Sequence, residues 1–259
     1  MKHRAAIIGC GRMGVGGPGW TFPYVYTHAD AYLALKDRVE LVALVDSDVE
    51  KATSARERWG VDTYTSTGTM LSKVKPDIVS ICTPNGTHSD VFSEICRASA
   101  EVNPGLRGLW IEKPLELMFK PSIPVQVNYC RRFCEVHRGV WNALDHVITK
   151  RLYVWARKDW TTAVHFADLA RWFRIPPERI HYDDNSGEYP STNSYRIEAG
   201  KWGVDFRNGG CKGGFMETAL TELLDVVDGK SGATLSSPAE SAIESERLAR
   251  QLLPVLKEA

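Results

Sequence analysis

Short apolar runs recur along the first half of the chain, and each stops at a glycine-rich or polar corner. Arg4-Ala5-Ala6-Ile7-Ile8 runs into Gly9-Cys10-Gly11-Arg12-Met13-Gly14. The run Val39 to Val45 ends in Asp46-Ser47-Asp48, and Pro76 to Cys82 ends in Thr83-Pro84-Asn85-Gly86-Thr87-His88. Gly108 to Ile111 ends in Glu112-Lys113-Pro114. Continuous apolar runs bounded by such corners predict strands buried on both faces. Between them lie stretches of helical period, Val49 to Trp59, Thr67 to Lys73 and Ser89 to Ala100, and a short strand at Tyr64-Thr65. Strand and helix in alternation predict a parallel sheet with helices on both faces.

The second half reads differently. Arg179 to Tyr182, Ser194 to Ala199 and Trp202 to Arg207 have strand character, and Asn208-Gly209-Gly210 is a turn signal after the last of these. Alternation in Ser194 to Ala199 and in Trp202 to Arg207 predicts a sheet with one face exposed or partnered. Met216 to Val227 is an amphipathic helix, and Ser237-Pro238-Ala239-Glu240 opens a final one, with serine as cap and proline at its first position.

The first corner carries the clearest chemistry. A strand followed by Gly9-x-Gly11-x-x-Gly14 is the dinucleotide fingerprint. Its glycines give a tight turn, a close approach of backbone to pyrophosphate, and close packing of helix on strand, with Arg12 and Met13 between them. The expected helix does not follow at once, because Val15-Gly16-Gly17-Pro18-Gly19 breaks it. It either starts and is interrupted or starts late, with Thr27 as N-cap. About a dozen residues are thus inserted beside the phosphate site. The segment from Gly16 to Tyr26 is either a surface loop with buried aromatics or a flap over cofactor or substrate.

An acid at the end of the second strand suits ribose hydroxyls, so Asp46, with Ser47 beside it, is expected to bind the adenosine ribose and favour NAD over NADP. Asp46 could instead cap the next helix, although Asp48 is the better cap. Ligands of such sheets sit at the carboxyl ends of strands, where Thr83, Pro84, Asn85, His88, Glu112 and Lys113 also fall.

Composition removes other classes. The 259 residues hold 32 basic and 32 acidic side chains, so no net field favours nucleic acid or an anionic membrane. The early apolar run is too short for a signal h-region, and no stretch reaches membrane-spanning length, so a cytoplasmic protein is expected. Cysteines 10, 82, 96, 130, 134 and 211 show no CxxC and no metal spacing, and read as free thiols with no metal.

GCGRMG, THADAY, VELVALVDSD, DIVSICTPNGTHSDV, IEKPL and VQVNYCRRF occur in the order seen in the Gfo/Idh/MocA oxidoreductases, which the chain resembles over roughly residues 1 to 172 and again near its end. The resemblance implies an α/β chain, with a doubly wound Rossmann domain over 1–120 and a shortened α+β domain over 121–259. The second domain's mostly antiparallel sheet serves substrate binding and homo-oligomer contacts. It implies hydride transfer between NAD(H) and a secondary alcohol or ketone of a sugar, cyclitol or sugar derivative. A non-catalytic dinucleotide-binding sensor or assembly protein is the alternative.

By the same resemblance Lys113 lies near nicotinamide and substrate, where like charge and burial disfavour its own charge. Its plainer alternative is a surface lysine at a strand end. The family's D-x-x-x-H-x-x-D stretch falls on Thr161, His165 and Asp168, so threonine replaces the first acid. Threonine donates a hydrogen bond but is no base near neutral pH. Asp159 is near in sequence but points elsewhere on a helix. His165 maps onto the histidine that meets the substrate hydroxyl, or is a histidine satisfied within a packed interface. Lys113 and His165 are thus the expected catalytic pair, with Tyr129, Arg132, Thr161 and Asp168 lining the substrate. For Arg132 a structural pairing with a carboxylate is the slightly favoured alternative.

Overall fold

A computed structural model describes residues 2–17, 23–115, 121–155, 160–183, 194–206, 211 and 213–258, with the side chains of 161, 182–183 and 254–258 outside the description. In chain order the elements are β1 (His3–Ile8), α1 (His28–Ala34), β2 (Val39–Val45), α2 (Val49–Trp59), β3 (Asp62–Tyr64), α3 (Thr67–Val74) and β4 (Ile78–Ile81). Then come α4 (His88–Val102), β5 (Gly108–Ile111), β6 (Val125–Val127), α5 (Glu135–Leu144), β7 (Lys150–Trp155), α6 (Trp160–Trp172) and β8 (Ile180–Asp183). The chain ends with β9 (Ser194–Ala199), β10 (Trp202–Phe206), α7 (Phe215–Val227) and α8 (Ala239–Glu258). Contacts divide it into one unit of Met1–Asn128 with Met216–Ala239 and another of Tyr129–Phe215 with Glu240–Ala259. Among the described residues no helix is long and apolar enough to cross a membrane.

The first unit holds a six-stranded sheet in the order β3-β2-β1-β4-β5-β6, with every pairing parallel. This is the doubly wound order, whose direction reverses between β1 and β4 and opens a crevice at the carboxyl ends of those strands. All four residues of β4 and all four of β5 are buried, as strands covered on both faces must be. Trp110 of β5 is fully buried, with the His28 ring 3.7 Å from its own and Tyr32 edge-on at 6.1 Å.

Helix α7 returns to this unit. Gln126 Nε2 of β6 donates to the Ala219 carbonyl and to Glu222, Arg107 donates to the Val227 carbonyl, and Asp228 just beyond α7 meets His3 and Arg38. Past α7 the Ser237 carbonyl accepts from the Val127 N–H, tying the returning segment to β6.

The second unit holds a four-stranded sheet ordered β10-β9-β7-β8. Two of its pairings are antiparallel, and β7 with β8 is parallel. Ile197 of β9 pairs with Val204 and with Leu152. Ile197 and Leu152 are fully buried, and Trp202 on the edge strand is 66% exposed. The turn expected at 208–210 and the strand residue Arg207 lie outside the described residues.

Candidate active site

The glycine corner is built by backbone contact. Gly9 has φ +100°, and a Cβ there would lie 2.5 Å from the carbonyl carbon of Cys82; at Gly14 it would lie 2.0 Å from the Gly9 oxygen. A Cβ on Gly11 would meet nothing within 4 Å. Gly9 and Gly14 are therefore required by the fold, whereas Gly11 borders open space of the kind a pyrophosphate needs.

The helix after the corner is both started and interrupted. Val15 N–H donates to the Gly11 carbonyl and Gly16 N–H to the Arg12 carbonyl, closing a first turn. His28 N–H then donates to the Met13 carbonyl and Ala29 N–H to that of Gly14. These bonds span fifteen residues where a helix spans four, so eleven residues are looped out of a helix that otherwise continues. Thr27 recaps it through a capping box with Asp30. Trp59 and Arg58 of α2 donate to the carbonyls of Val15 and Gly17, holding the start of the insertion. Residues 18–22 of the segment expected as loop or flap lie outside the described residues.

Asp46 is half-buried at the end of β2. Its Oδ2 accepts the Cys10 N–H at 2.8 Å and its Oδ1 accepts the Asp48 N–H at 3.0 Å. A carboxylate has about four acceptor positions, so two remain for hydroxyls. The capping role belongs to Asp48, whose Oδ1 accepts from the amides of Glu50 and Lys51. Arg12 and Ser47 are exposed and Met13 is half-buried. At the end of β4, Pro84 and Asn85 are exposed and Thr83 is half-buried beneath the Thr87 hydroxyl. His88 is buried, with Nδ1 2.7 Å from the Pro114 carbonyl and Nε2 2.7 Å from that of Thr83. Its ring braces the β4 corner against the Lys113-Pro114 turn, whose peptide bond is cis.

Glu112 is buried beneath the half-buried Lys113. Its Oε1 accepts from His28 Nε2 at 3.2 Å and from the Asn128 side-chain amide. His28 Nδ1 lies 2.9 Å from the Ser80 hydroxyl, which lies 2.7 Å from the Tyr32 hydroxyl. The partners orient the chain as Tyr32 to Ser80 to His28 to Glu112. Burial pushes the His28 pKa down. For Glu112 burial works upward, yet the bonds from His28 and Asn128 and the nearby Lys113 charge hold its pKa below the usual carboxyl value. This buried polar chain escapes motif reading. The one available signal is Ser80, a lone polar residue in an otherwise apolar strand.

In the second unit a 3₁₀ turn over Cys130–Phe133 presents Arg132 to α6. Arg132 Nε donates to Asp168 Oδ2 at 2.9 Å and Nη2 to Oδ1 at 2.6 Å, with both side chains buried. Ser245 of α8 adds a bond to Asp168 at 2.9 Å. The carboxylate expected along the substrate is thus engaged by the arginine. His165 is half-buried, with Tyr129 edge-on at 6.3 Å. The Tyr129 hydroxyl is buried and has no hydrogen-bond partner among the described residues. Thr161 opens α6 with its side chain outside the description, and Asp159 lies outside the described residues.

Residues 3–120 match the family described as "Oxidoreductase family, NAD-binding Rossmann fold" (GFO_IDH_MocA). The chain is 36% identical over 86 residues to D-glucoside 3-dehydrogenase of Escherichia coli (strain K12), a match covering 33% of this chain and 21% of that protein. It is 22% identical over 246 residues to the rhizopine catabolism protein MocA of Rhizobium meliloti, covering 89% of this chain and 70% of that protein. Its fold matches the WlbA dehydrogenase from Bordetella pertussis, solved in complex with NADH and UDP-GlcNAcA, with a TM-score of 0.72 at 16% identity over 100% of this chain and 97% of that one. With the glycine corner, the acid at the end of β2 and the Glu-Lys-Pro turn in place, residues 3–120 are similar to the NAD-binding Rossmann domain of the Gfo/Idh/MocA oxidoreductases.

Proposed function

We propose that the chain transfers hydride between NAD(H) and a secondary alcohol or ketone of a sugar, cyclitol or sugar derivative, with the unit of residues 1–128 and 216–239 serving the cofactor and that of 129–215 and 240–259 the substrate. The observation that carries the reading is Asp46, held by the Cys10 amide of the glycine corner with acceptor capacity to spare. Gly9, Gly11 and Gly14 would cradle the pyrophosphate and Asp46 the adenosine ribose. Its negative charge disfavours a 2′-phosphate, which supports NAD over NADP. When bound, the nicotinamide supplies the hydride chemistry. Lys113 and His165 hold and move the proton of the substrate hydroxyl. His88 and Glu112 act by positioning the turn that carries Lys113, and Arg132 and Asp168 by fixing each other. The sugar class rests on the D-glucoside dehydrogenase and on WlbA, whose substrates are their own.

The test is a fluorescence titration with NADH and, separately, NADPH, followed by NADH-linked turnover on a panel of sugars and cyclitols. Saturable NADH binding weakened by Asp46→Ala supports the reading; binding of neither nucleotide overturns it. Lys113→Met is expected to lower kcat by about a hundredfold or more, the scale of a lost proton-transfer group.

A second reading, nucleotide binding without turnover, is favoured by the Arg132–Asp168 pair and by threonine at 161. Tight NADH binding with no turnover across the panel would select it.

A further inference from the structure

A second cluster of reactive side chains lies in the second unit, apart from the residues assigned to hydride transfer. Cys134 Sγ, His137 Nδ1 or Nε2, and Cys211 Sγ all lie within 4.8 Å of one another. Cys130, at the start of the preceding turn, is also a neighbour of Cys211, outside the closest group of three. We propose that Cys130, Cys134, His137 and Cys211 bind a single structural zinc ion.

The local fold explains how the ligands converge. Cys130 begins the 3₁₀ turn, Cys134 is the N-cap of α5 and contributes no side-chain capping bond, and His137 lies in the first turn of that helix. Cys-x₃-Cys-x₂-His thus places three ligands on adjoining turns, and Cys211 arrives from beyond β10. The spacing is not one of the zinc-finger patterns, so linear inspection reads these cysteines as free thiols.

The chemistry fits a closed tetrahedral site. Zinc–sulfur and zinc–nitrogen bond lengths give tetrahedral edges of about 3.6–3.8 Å. His137 Nδ1 and Cys211 Sγ are 3.9 Å apart. The other ring nitrogen, Nε2, meets the Tyr195 hydroxyl. With Nε2–H donating to that hydroxyl, Nδ1 is left for a metal, in the way outer partners orient ligating histidines. Phe206 stacks on the same ring at 4.5 Å and holds its plane. His137 is fully buried and Cys134 is 2% exposed. With Cys130 drawn in as the fourth ligand no position is left open, as in a structural site rather than a hydrolytic one. The close spacing suits one ion rather than an iron–sulfur cluster, whose thiolates are spread over several metals.

Charge provides an independent indication. Arg131 is buried, and its Nε and Nη1 have no hydrogen-bond partner among the described residues. Its guanidinium lies 5.0 Å from the Phe166 ring centroid and 5.1 Å from that of Tyr195. Among the described residues no carboxylate forms an ion pair with it. A buried cation requires a counter-charge. Three thiolates around a divalent ion carry a net negative charge beside this arginine, and the metal site supplies what the protein alone lacks.

The experiment uses the full chain. Protein purified without chelators is expected to carry about one zinc per chain by elemental mass spectrometry. After removal of metal under reducing conditions, cobalt(II) should give thiolate charge-transfer and tetrahedral ligand-field bands that saturate at one equivalent and vanish on adding zinc. Cys134→Ser and Cys211→Ser should lose these bands, and Cys96→Ser, in the other unit, should keep them. Chelation should lower the melting temperature of the wild type but not of Cys134→Ser. The proposal is overturned if reduced wild-type protein shows no cobalt bands, if Cys134 and Cys211 prove to be disulfide-linked in metal-free native protein, or if iron and sulfide are found instead. Wild-type protein alone decides these outcomes, so a variant that fails to fold does not blur them.

Discussion

At the level of single residues, the three fingerprint glycines are not equivalent. Gly9→Ala must force a side chain into a left-handed backbone, at about 1–2 kcal/mol, and against the Cys82 carbonyl carbon besides. Gly11→Ala meets no atom within 4 Å. Gly9→Ala is therefore expected to lower the melting temperature sharply. Gly11→Ala is expected to leave it unchanged and to weaken NADH binding, which parallel melts and titrations would check. Asp46→Ala removes a charged acceptor, and such bonds are each worth about 1.5–3 kcal/mol, so NADH affinity should fall about tenfold or more. Asp168→Asn strips the Arg132 guanidinium of its counter-charge and should cost about 3–5 kcal/mol in denaturant melts. The double change Arg132→Met with Asp168→Leu should recover most of that loss. Motif reading locates Gly9, Gly14, Asp46 and Asp48 because each is set by its own strand end. It cannot reveal that Arg132 and Asp168 face each other, since 36 residues separate them and only the fold brings them together.

Among the elements, the split helix after β1 is the sharpest case. Gly16, Gly17 and Pro18 announce a break, and Thr27 announces a new cap, so both ends of the insertion are legible from backbone chemistry. What no local signal conveys is that His28 and Ala29 rejoin the hydrogen-bond ladder of Met13 and Gly14. Deleting residues 16–26 places His28 four positions after Met13, the natural helical spacing. That variant should fold with an unchanged far-ultraviolet dichroism per residue and a similar melting temperature. Loss of the folded signal would show that the insertion is part of the core. Loss of turnover alone would make it a flap over the site.

For the molecule as a whole, acid sensitivity follows from the buried polar chain. His28 has a pKa pushed below its ordinary value by burial, so the unfolded chain takes up a proton as the pH falls through about 6.5 while the folded chain resists it. Glu112 is held below the usual carboxyl value, so its contribution is present above that value and is lost as the pH falls toward the folded one. Both effects favour unfolding in acid. Melting temperatures should be level above pH 7 and decline below about 6.5, and His28→Gln should lower the plateau and flatten the decline between pH 7 and 5. The parallel sheet was readable because each strand carries its own pattern of burial. The destination of α7 was not, since an amphipathic stripe reveals that a helix covers a core but not which one. That return sets the order of events during synthesis. The six strands leave the ribosome by residue 127, yet Glu222, Asp228 and Ser237, which close hydrogen bonds around β6 and β1, follow about a hundred residues later. The nascent first unit must wait, incomplete at one flank, until the intervening unit has been made, and a fragment ending at residue 128 will expose that flank to whatever binds apolar surface.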